Sequence, residues 1–303
     1  MRARTQRLIL VLGVIAGGCI AEPLDQSPLN TYPPPGSIPF SVTTIAASPP
    51  TSGGGDAVDS SVDVITLAKD RPFAGRFRYD VYGPDSALNT PVVILVHDLG
   101  GVAEVAHLAR VLAETRIVIV PHYDSPVRGG RFPDPMSATA CALAMASESD
   151  VYGANPTDVA VLGVGFGALA GFIVANTGEL YLPAECEYDE MAAPERLVAL
   201  GGSWSPDALA NDSFDAMATF MGGTPQQVPA TWALLDPAQY GSPTPIEITL
   251  IRGAHDLDGS VTDGFAGQLL AKGWPVVAGI IAGHTSRSAL SGAEAEIAGY
   301  LEP

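Results

Sequence analysis

The chain has 303 residues, of which 47% are hydrophobic and 16% are charged. That composition supplies enough apolar surface for a core and excludes a largely disordered or coiled-coil protein. The formal net charge of −18 disfavours a nucleic-acid partner, because such a chain repels phosphate backbones. No apolar run reaches about 18 residues, the length that a membrane-spanning helix needs, so a polytopic membrane protein is excluded.

The N-terminus has the pattern of an export signal. Arg2, Arg4 and Arg7 precede an apolar run and then small residues, which predicts a secretory signal peptide over residues 1–18. Residues 16–19 (Ala-Gly-Gly-Cys) resemble the bacterial lipobox, although that family usually has a larger aliphatic residue where Ala16 stands. The resemblance implies that Cys19 is diacylated and anchors the mature protein in a bacterial cell envelope, facing the periplasm or the outer surface. An ordinary signal peptide followed by an incidental cysteine is the alternative.

Residues 19–60 are predicted to form a flexible tether. They are rich in Pro, Ser, Thr and Gly, with three consecutive prolines at 33–35 and three consecutive glycines at 53–55. Such a composition cannot bury enough apolar surface to order itself. A globular domain is therefore expected over residues 61–303. Its two cysteines, Cys141 and Cys186, form a disulfide or remain two buried thiols, and an oxidising compartment allows either.

Strands and helices alternate along residues 61–303. Stretches that alternate apolar and polar residues predict half-buried antiparallel strands at 62–67 and 77–82. Short apolar runs predict central strands covered on both faces at 91–96, 117–120, 159–162, 197–200, 246–251 and 275–281. Helical patterns lie at 102–114, 137–146, 167–176, 264–272 and 292–301. The fold class predicted is α/β: a mostly parallel sheet of about eight strands with helices on both faces and a site at the carboxyl ends of the strands.

Glycines and histidines stand at several of these strand ends. The first apolar run is followed by His97-Asp98-Leu99-Gly100-Gly101, and the third by residues 163–168 (Gly-Val-Gly-Phe-Gly-Ala), which lead into a helix. Near the C-terminus come residues 252–256 (Arg-Gly-Ala-His-Asp) and then Gly283-His284. Glycine turns at such positions let backbone N–H groups point into a crevice, as an oxyanion-binding site requires.

Together these segments resemble the α/β-hydrolase superfamily, in its bacterial esterase/lipase branch. The resemblance covers about residues 61–303, and its motifs come in the family's order of nucleophile, acid and histidine. It makes residues 163–167 the nucleophile elbow G-x-S-x-G, Asp256 the catalytic acid and His284 the base. It also implies an oxyanion site formed by the backbone at Asp98, Leu99, Gly100 and Phe166. Residues 220–225 (Phe-Met-Gly-Gly-Thr-Pro) resemble the family's segment before the acid strand.

The chain departs from this family at two positions. Asp98-Leu99 replaces the usual glycine-rich pair of the oxyanion loop, and Gly165 stands where the family has its nucleophile serine. Glycine has no side chain to attack a carbonyl, and losing a serine nucleophile costs on the order of a millionfold in turnover. Asp256 and His284 are expected to orient one another still, and the backbone donors to bind an anion.

Three alternatives remain open. The first is a relocated nucleophile. Ser203 follows the strand at 197–200, so its hydroxyl would line the crevice, although a serine at this place can also simply cap a turn or a helix. Ser286 is a weaker candidate for the same role. The second is a dinucleotide site, since residues 163–168 fit G-x-G-x-x-[GA], although the mid-chain position and the irregular segment around Glu185 and Glu187 argue against it. The third is a metal site, but the five histidines show no His-x-x-x-His spacing, so we expect no metal and no cofactor.

The sequence thus predicts a tethered α/β-hydrolase-like protein that lacks serine-esterase activity. It is expected to bind a small ester-like or carboxylate ligand, or an unidentified protein partner at the envelope, and no nucleic acid. The alternatives are an active carboxylic-ester hydrolase that uses another nucleophile, and a structural envelope lipoprotein with no ligand.

Overall fold

A computed structural model describes residues 64–74, 77–98, 100–124, 128–148, 152–191, 193–202, 204, 214–236, 240, 246–257 and 259–302. The signal peptide, the whole of the predicted tether and three residues singled out by the sequence, Cys19, Leu99 and Ser203, lie outside this part of the chain.

The described residues contain one eight-stranded sheet with the order β1-β2-β4-β3-β5-β6-β7-β8. The first two strands pair antiparallel, and β2 pairs antiparallel with β4, whereas the other neighbours are parallel. The predicted mostly parallel sheet is therefore confirmed. Its strands are β1 Val64–Ala74, β2 Phe77–Pro84, β3 Thr90–Val96, β4 Ile117–His122, β5 Ala154–Val164, β6 Arg196–Leu200, β7 Glu247–Gly253 and β8 Val276–Ile281.

Helices cover both faces of the sheet. Alternate residues of β3 show this directly: Ile94 packs into one core with residues of the second and third helices, while Val93 and Leu95 pack into another with the first helix. Each fully buried aliphatic side chain stabilises the fold by about 2 kcal/mol. The helices are α1 Val102–Leu112, α2 Asp134–Ala146, α3 Phe166–Thr177, α4 Phe214–Met221, α5 Pro229–Ala233, α6 Gly259–Ala271, α7 Ser286–Ala289 and α8 Glu294–Gly299.

A disulfide joins α2 to the segment that follows α3. Cys141 of α2 and Cys186 are bonded, with their Cα atoms 5.9 Å apart, and both residues are buried in the same core. Of the two states that the sequence left open for this pair, the structure has the bonded one.

The carboxyl ends of the parallel strands lie along one edge of the sheet, and backbone hydrogen bonds link the turns that follow them. Gly165 N–H donates to Leu200 O at 2.9 Å, and Gly201 N–H donates to Ile251 O at 2.8 Å. His255 N–H in turn donates to His284 O at 2.9 Å. The motifs found in the sequence are thus held side by side. No helix in the described part of the chain is long and apolar enough to cross a membrane.

Candidate functional site

The turn between β5 and α3 is sharp, and its central residue is Gly165. This residue has φ 54° and ψ −118°, a conformation that only glycine adopts without strain, and α3 begins at the next residue. The flanking glycines allow close contact with neighbouring backbone: a Cβ atom on Gly163 would lie 2.4 Å from Ala168 Cα, and one on Gly167 would lie 2.2 Å from Val96 O. The local sequence therefore specifies a tight strand–turn–helix unit at the centre of the edge.

The carboxylate of Asp98 occupies the space beside this turn. A Cβ atom on Gly165 would lie 2.3 Å from Asp98 Cγ and 2.4 and 2.5 Å from its two carboxylate oxygens. The backbone N–H of Phe166, the first residue of α3, donates to Asp98 Oδ1 at 2.8 Å. A negative charge is favourable there, because the N-terminus of a helix carries partial positive charge. Asp98, which follows β3, thus caps α3. The N-cap residue of this helix, Gly165, makes no side-chain capping bond itself.

A second carboxylate binds the backbone of the glycine loop. Gly100 N–H donates to Glu104 Oε2 at 3.1 Å, while Gly100 O accepts from Arg128 Nη2 at 2.6 Å. Glu104 also lies 3.2 Å from Arg287 Nε. Burial, with a further contribution from the charge of Asp98, raises the pKa of Glu104 above its ordinary value. Two of the N–H groups assigned to the oxyanion site, those of Phe166 and Gly100, therefore donate to carboxylates of the chain itself.

His97 is a buried, uncharged support for this loop. Its ring stacks on Tyr123 with 3.9 Å between centroids, and the Tyr123 hydroxyl donates to His97 O. Nδ1 lies 2.8 Å from Asp98 O, a distance at which the neutral ring donates its proton. Burial lowers the pKa of His97 to about 4. Its Nε2 is buried and has no hydrogen-bond partner among the described residues. Because the single proton of the neutral ring is on Nδ1, Nε2 carries no N–H group that would need an acceptor.

Asp256 and His284 lie at the expected edge, after β7 and β8, but each contacts other residues. The Asp256 carboxylate accepts from Gly253 N–H at 2.8 Å, from Ser286 N–H at 2.8 Å and from Ser286 Oγ at 2.5 Å. The His284 ring places Nδ1 3.4 Å from Ser288 Oγ. The contacts of these two described side chains do not include one another, so the mutual orientation expected from the sequence is not formed in the structure.

Ser286 is held by the same network. Its Oγ donates to Asp256 and accepts from Gly253 N–H at 3.1 Å, and its Cβ packs against Gly201, where an added Cβ would lie 2.5 Å away. The hydroxyl is therefore an anchor between two loops in this structure. Among the described residues, no three His, Cys, Asp or Glu side chains lie together in a way that could hold a metal ion.

Sequence reasoning missed the part played by Glu104, Arg287 and Tyr123. A signal existed for Glu104, since an acidic residue three positions after a helix N-cap such as Gly101 commonly reaches back to a free backbone N–H. Tyr123 and Arg287 join the site only through tertiary contacts, so no local pattern could have indicated them.

Comparison with known proteins rests on structure alone. No protein-family model matches the chain, and no curated protein matches it. Solved structures do match. An esterase from Pyrobaculum calidifontis is 19% identical, with a TM-score of 0.57 over 78% of this chain and 85% of its own.

Two further solved structures are esterases. Esterase B from Lactobacillus rhamnosis is 15% identical, with a TM-score of 0.59 over 74% of this chain and 79% of its own. A thermostable esterase from Pseudomonas putida is 16% identical, with a TM-score of 0.55 over 79% of this chain and 81% of its own. At these identities the likeness shows the fold: the chain has the α/β-hydrolase fold that its sequence predicts, and its structural neighbours are bacterial and archaeal esterases.

Proposed function

We propose that this protein is a non-hydrolytic member of the α/β-hydrolase fold, tethered to a bacterial cell envelope through a lipidated Cys19, that binds a small ester-like ligand. The observation that carries the proposal is the strand–turn–helix at Gly165. The family resemblance puts the nucleophile serine at this residue, and glycine offers no attacking atom. The Asp98 carboxylate fills the space into which a side chain at position 165 would project.

The histidine and acid support the same conclusion. A general base in this fold is oriented by the hydrogen bond that its ring N–H donates to an acid, and replacing such an acid costs about 10⁴ in turnover even where the serine is present. Here Asp256 bonds to Gly253 and Ser286, while the His284 ring contacts Ser288. Serine-hydrolase chemistry therefore lacks its nucleophile and the orientation of its base.

The disulfide supports an exported location. Disulfides persist in oxidising compartments and are rare in the cytosol, and the Cys141–Cys186 bond lies within the domain that the tether would hold. Two alternatives remain: an active esterase that uses Ser203, three residues after the end of β6 in the sequence, and a structural lipoprotein without a ligand.

Hydrolysis of p-nitrophenyl butyrate by the purified protein tests the proposal. We expect turnover no greater than that of the His284→Ala variant. Gly165→Ser alone should gain nothing, because the serine Cβ would overlap the Asp98 carboxylate. Gly165→Ser combined with Asp98→Gly should gain only weak turnover, because Asp256 does not orient His284, and a further His284→Ala change should remove that gain. Turnover in the unmodified protein that disappears in His284→Ala would contradict the proposal and make Ser203→Ala the next variant.

A thermal-shift screen with short-chain esters separates the binding protein from the purely structural one. A ligand that binds only the native state raises the unfolding temperature in a concentration-dependent way. We expect such a rise with at least one uncharged ester, whereas no response to any ester would favour the structural alternative.

A further inference from the structure

We propose that Asp98 determines the ligand specificity of the candidate site at the N-terminus of α3, by acting as its internal anion. The carboxylate occupies the anion-binding position beside Phe166 N–H and excludes small carboxylates from it, so that the site accepts uncharged ligands. This inference rests on the proposed function, in which the site binds ligands and does not hydrolyse them.

The occupied group is the one that would otherwise bind an anion. Phe166 N–H is the first amide of a helix of 12 residues, and it already makes a 2.8 Å hydrogen bond to Asp98 Oδ1. Such a charge-assisted bond at a helix N-terminus is among the stronger ones in proteins. An incoming carboxylate would have to break it before it could use the same N–H.

One contact explains both departures of the sequence from the esterase pattern. The oxyanion loop has Asp98 where glycine is usual, and the elbow has Gly165 where serine is usual. Because a Cβ atom at residue 165 would lie within 2.5 Å of the Asp98 carboxylate, the acidic side chain needs the glycine. The two residues therefore form a matched pair in which Gly165 supplies the space and Asp98 fills it.

The surroundings also disfavour a second anion. Gly100 N–H, which the resemblance also assigns to the oxyanion site, is bonded to Glu104, whose side chain is only 10% exposed. Asp98 and Glu104 lie close enough for the charge of Asp98 to raise the pKa of Glu104. An added carboxylate would be repelled by these two groups at short range, a repulsion that Arg128 and Arg287 beside them offset only in part. An intramolecular carboxylate also competes at a high effective concentration, which a free ligand in solution does not reach.

The test follows the Phe166 amide directly. The chain has nine phenylalanines, so protein labelled with ¹⁵N only at phenylalanine gives a simple spectrum, in which Phe166→Leu identifies the resonance. Sodium butyrate is titrated into the unmodified protein, Asp98→Asn and Asp98→Ala. We expect butyrate to bind at Phe166 at least about tenfold more tightly in Asp98→Ala than in the other two proteins, so that over one concentration range only the Asp98→Ala resonance reaches saturation.

Asp98→Asn is the matched control, since an amide oxygen at the same place still accepts from Phe166 N–H without the charge. Saturable butyrate binding at Phe166 in the unmodified protein would overturn the proposal. So would butyrate binding in Asp98→Asn equal to that in Asp98→Ala, because repulsion and not occupancy would then set the specificity. If Asp98→Ala does not fold, Asp98→Gly, which restores the glycine usual in this loop, takes its place. Turnover of p-nitrophenyl butyrate, measured on the same samples, tests the proposed function separately from the butyrate titration.

Discussion

At residue 165, glycine is needed for two reasons that can be separated, the backbone conformation and the space taken by Asp98. Gly178 offers the comparison, because it has φ 58° and nothing lies within 4 Å of the position of its Cβ. Alanine at either site incurs backbone strain of about 1–3 kcal/mol. At residue 165 it also displaces the Asp98 carboxylate from Phe166 N–H, which adds about 1–3 kcal/mol.

We therefore predict that Gly165→Ala lowers the free energy of unfolding by more than Gly178→Ala, as measured by urea denaturation. In an Asp98→Ala background the two substitutions should cost similar amounts. Equal losses in the unmodified background would mean that the Asp98 contact contributes nothing to stability.

His97 makes the stability of the fold depend on pH. Burial lowers its pKa to about 4 from an ordinary value of 6.5, so between these values the unfolded chain binds a proton that the folded one does not. The stabilisation is fully present above pH 6.5 and is lost as the pH falls toward 4, by about 3 kcal/mol. Asn at position 97 keeps an N–H for Asp98 O and does not titrate.

We predict that the free energy of unfolding falls more steeply from pH 7 to pH 4 in the unmodified protein than in His97→Asn. Urea denaturation across this range gives both curves, and the carboxylates common to both proteins cancel in the difference. Parallel curves would contradict a buried neutral histidine.

The residues of the site were predictable, but their pairing was not. Strand ends and glycines indicated His97, Asp98, Gly165, Asp256 and His284 and the edge at which they meet. Which atoms bond depends on side-chain rotamers set by tertiary contacts. Asp98 turns into the space left by a residue 67 positions away in the chain, and no local pattern contains that information.

At the scale of elements, the central strands were the most predictable part. Their apolar runs reflect burial on both faces, and β3, β4 and β6 begin within a residue of the expected positions. The edge strand β1 was expected to end at residue 67 and extends to Ala74, because register shifts after Thr66 and around Asp70 break the alternation of apolar and polar residues. Helices α4, α5 and α7, which have 8, 5 and 4 residues, were not predicted, whereas the 6-residue α8 lies within the helix predicted at 292–301.

The disulfide connects two elements that pack on the same face of the sheet. It closes a loop between residues 45 positions apart in the chain, and loop-closure entropy for that length corresponds to about 4 kcal/mol. We predict that Cys141→Ala combined with Cys186→Ala lowers the free energy of unfolding by an amount of this order, measured by urea denaturation. Reductant should destabilise the unmodified protein and leave the double variant unchanged. A double variant as stable as the parent would mean that packing of α2 alone holds this region.

At the scale of the whole molecule, the net negative charge opposes the membrane attachment that we propose for Cys19. Removal of residues 1–18 would leave 12 basic and 33 acidic residues, a net charge of −21, which repels anionic membrane surfaces. The membrane attachment that we propose would then come from the lipid and not from the surface of the domain. Two acyl chains hold a protein stably, whereas a single chain gives only reversible binding.

We predict that the protein expressed with its own N-terminus in a bacterium stays in the salt-washed membrane fraction and incorporates labelled palmitate, and that Cys19→Ser loses both properties. The double variant of Cys141 and Cys186 is the control, because it also removes cysteines but leaves the lipidation position intact, and it should remain with the membranes. Unmodified protein released in soluble form, with no label, would mean that an ordinary signal peptide precedes an incidental cysteine. Cys19→Ser protein that stays in the washed membranes would instead locate the attachment elsewhere, against the electrostatic argument from its acidic surface.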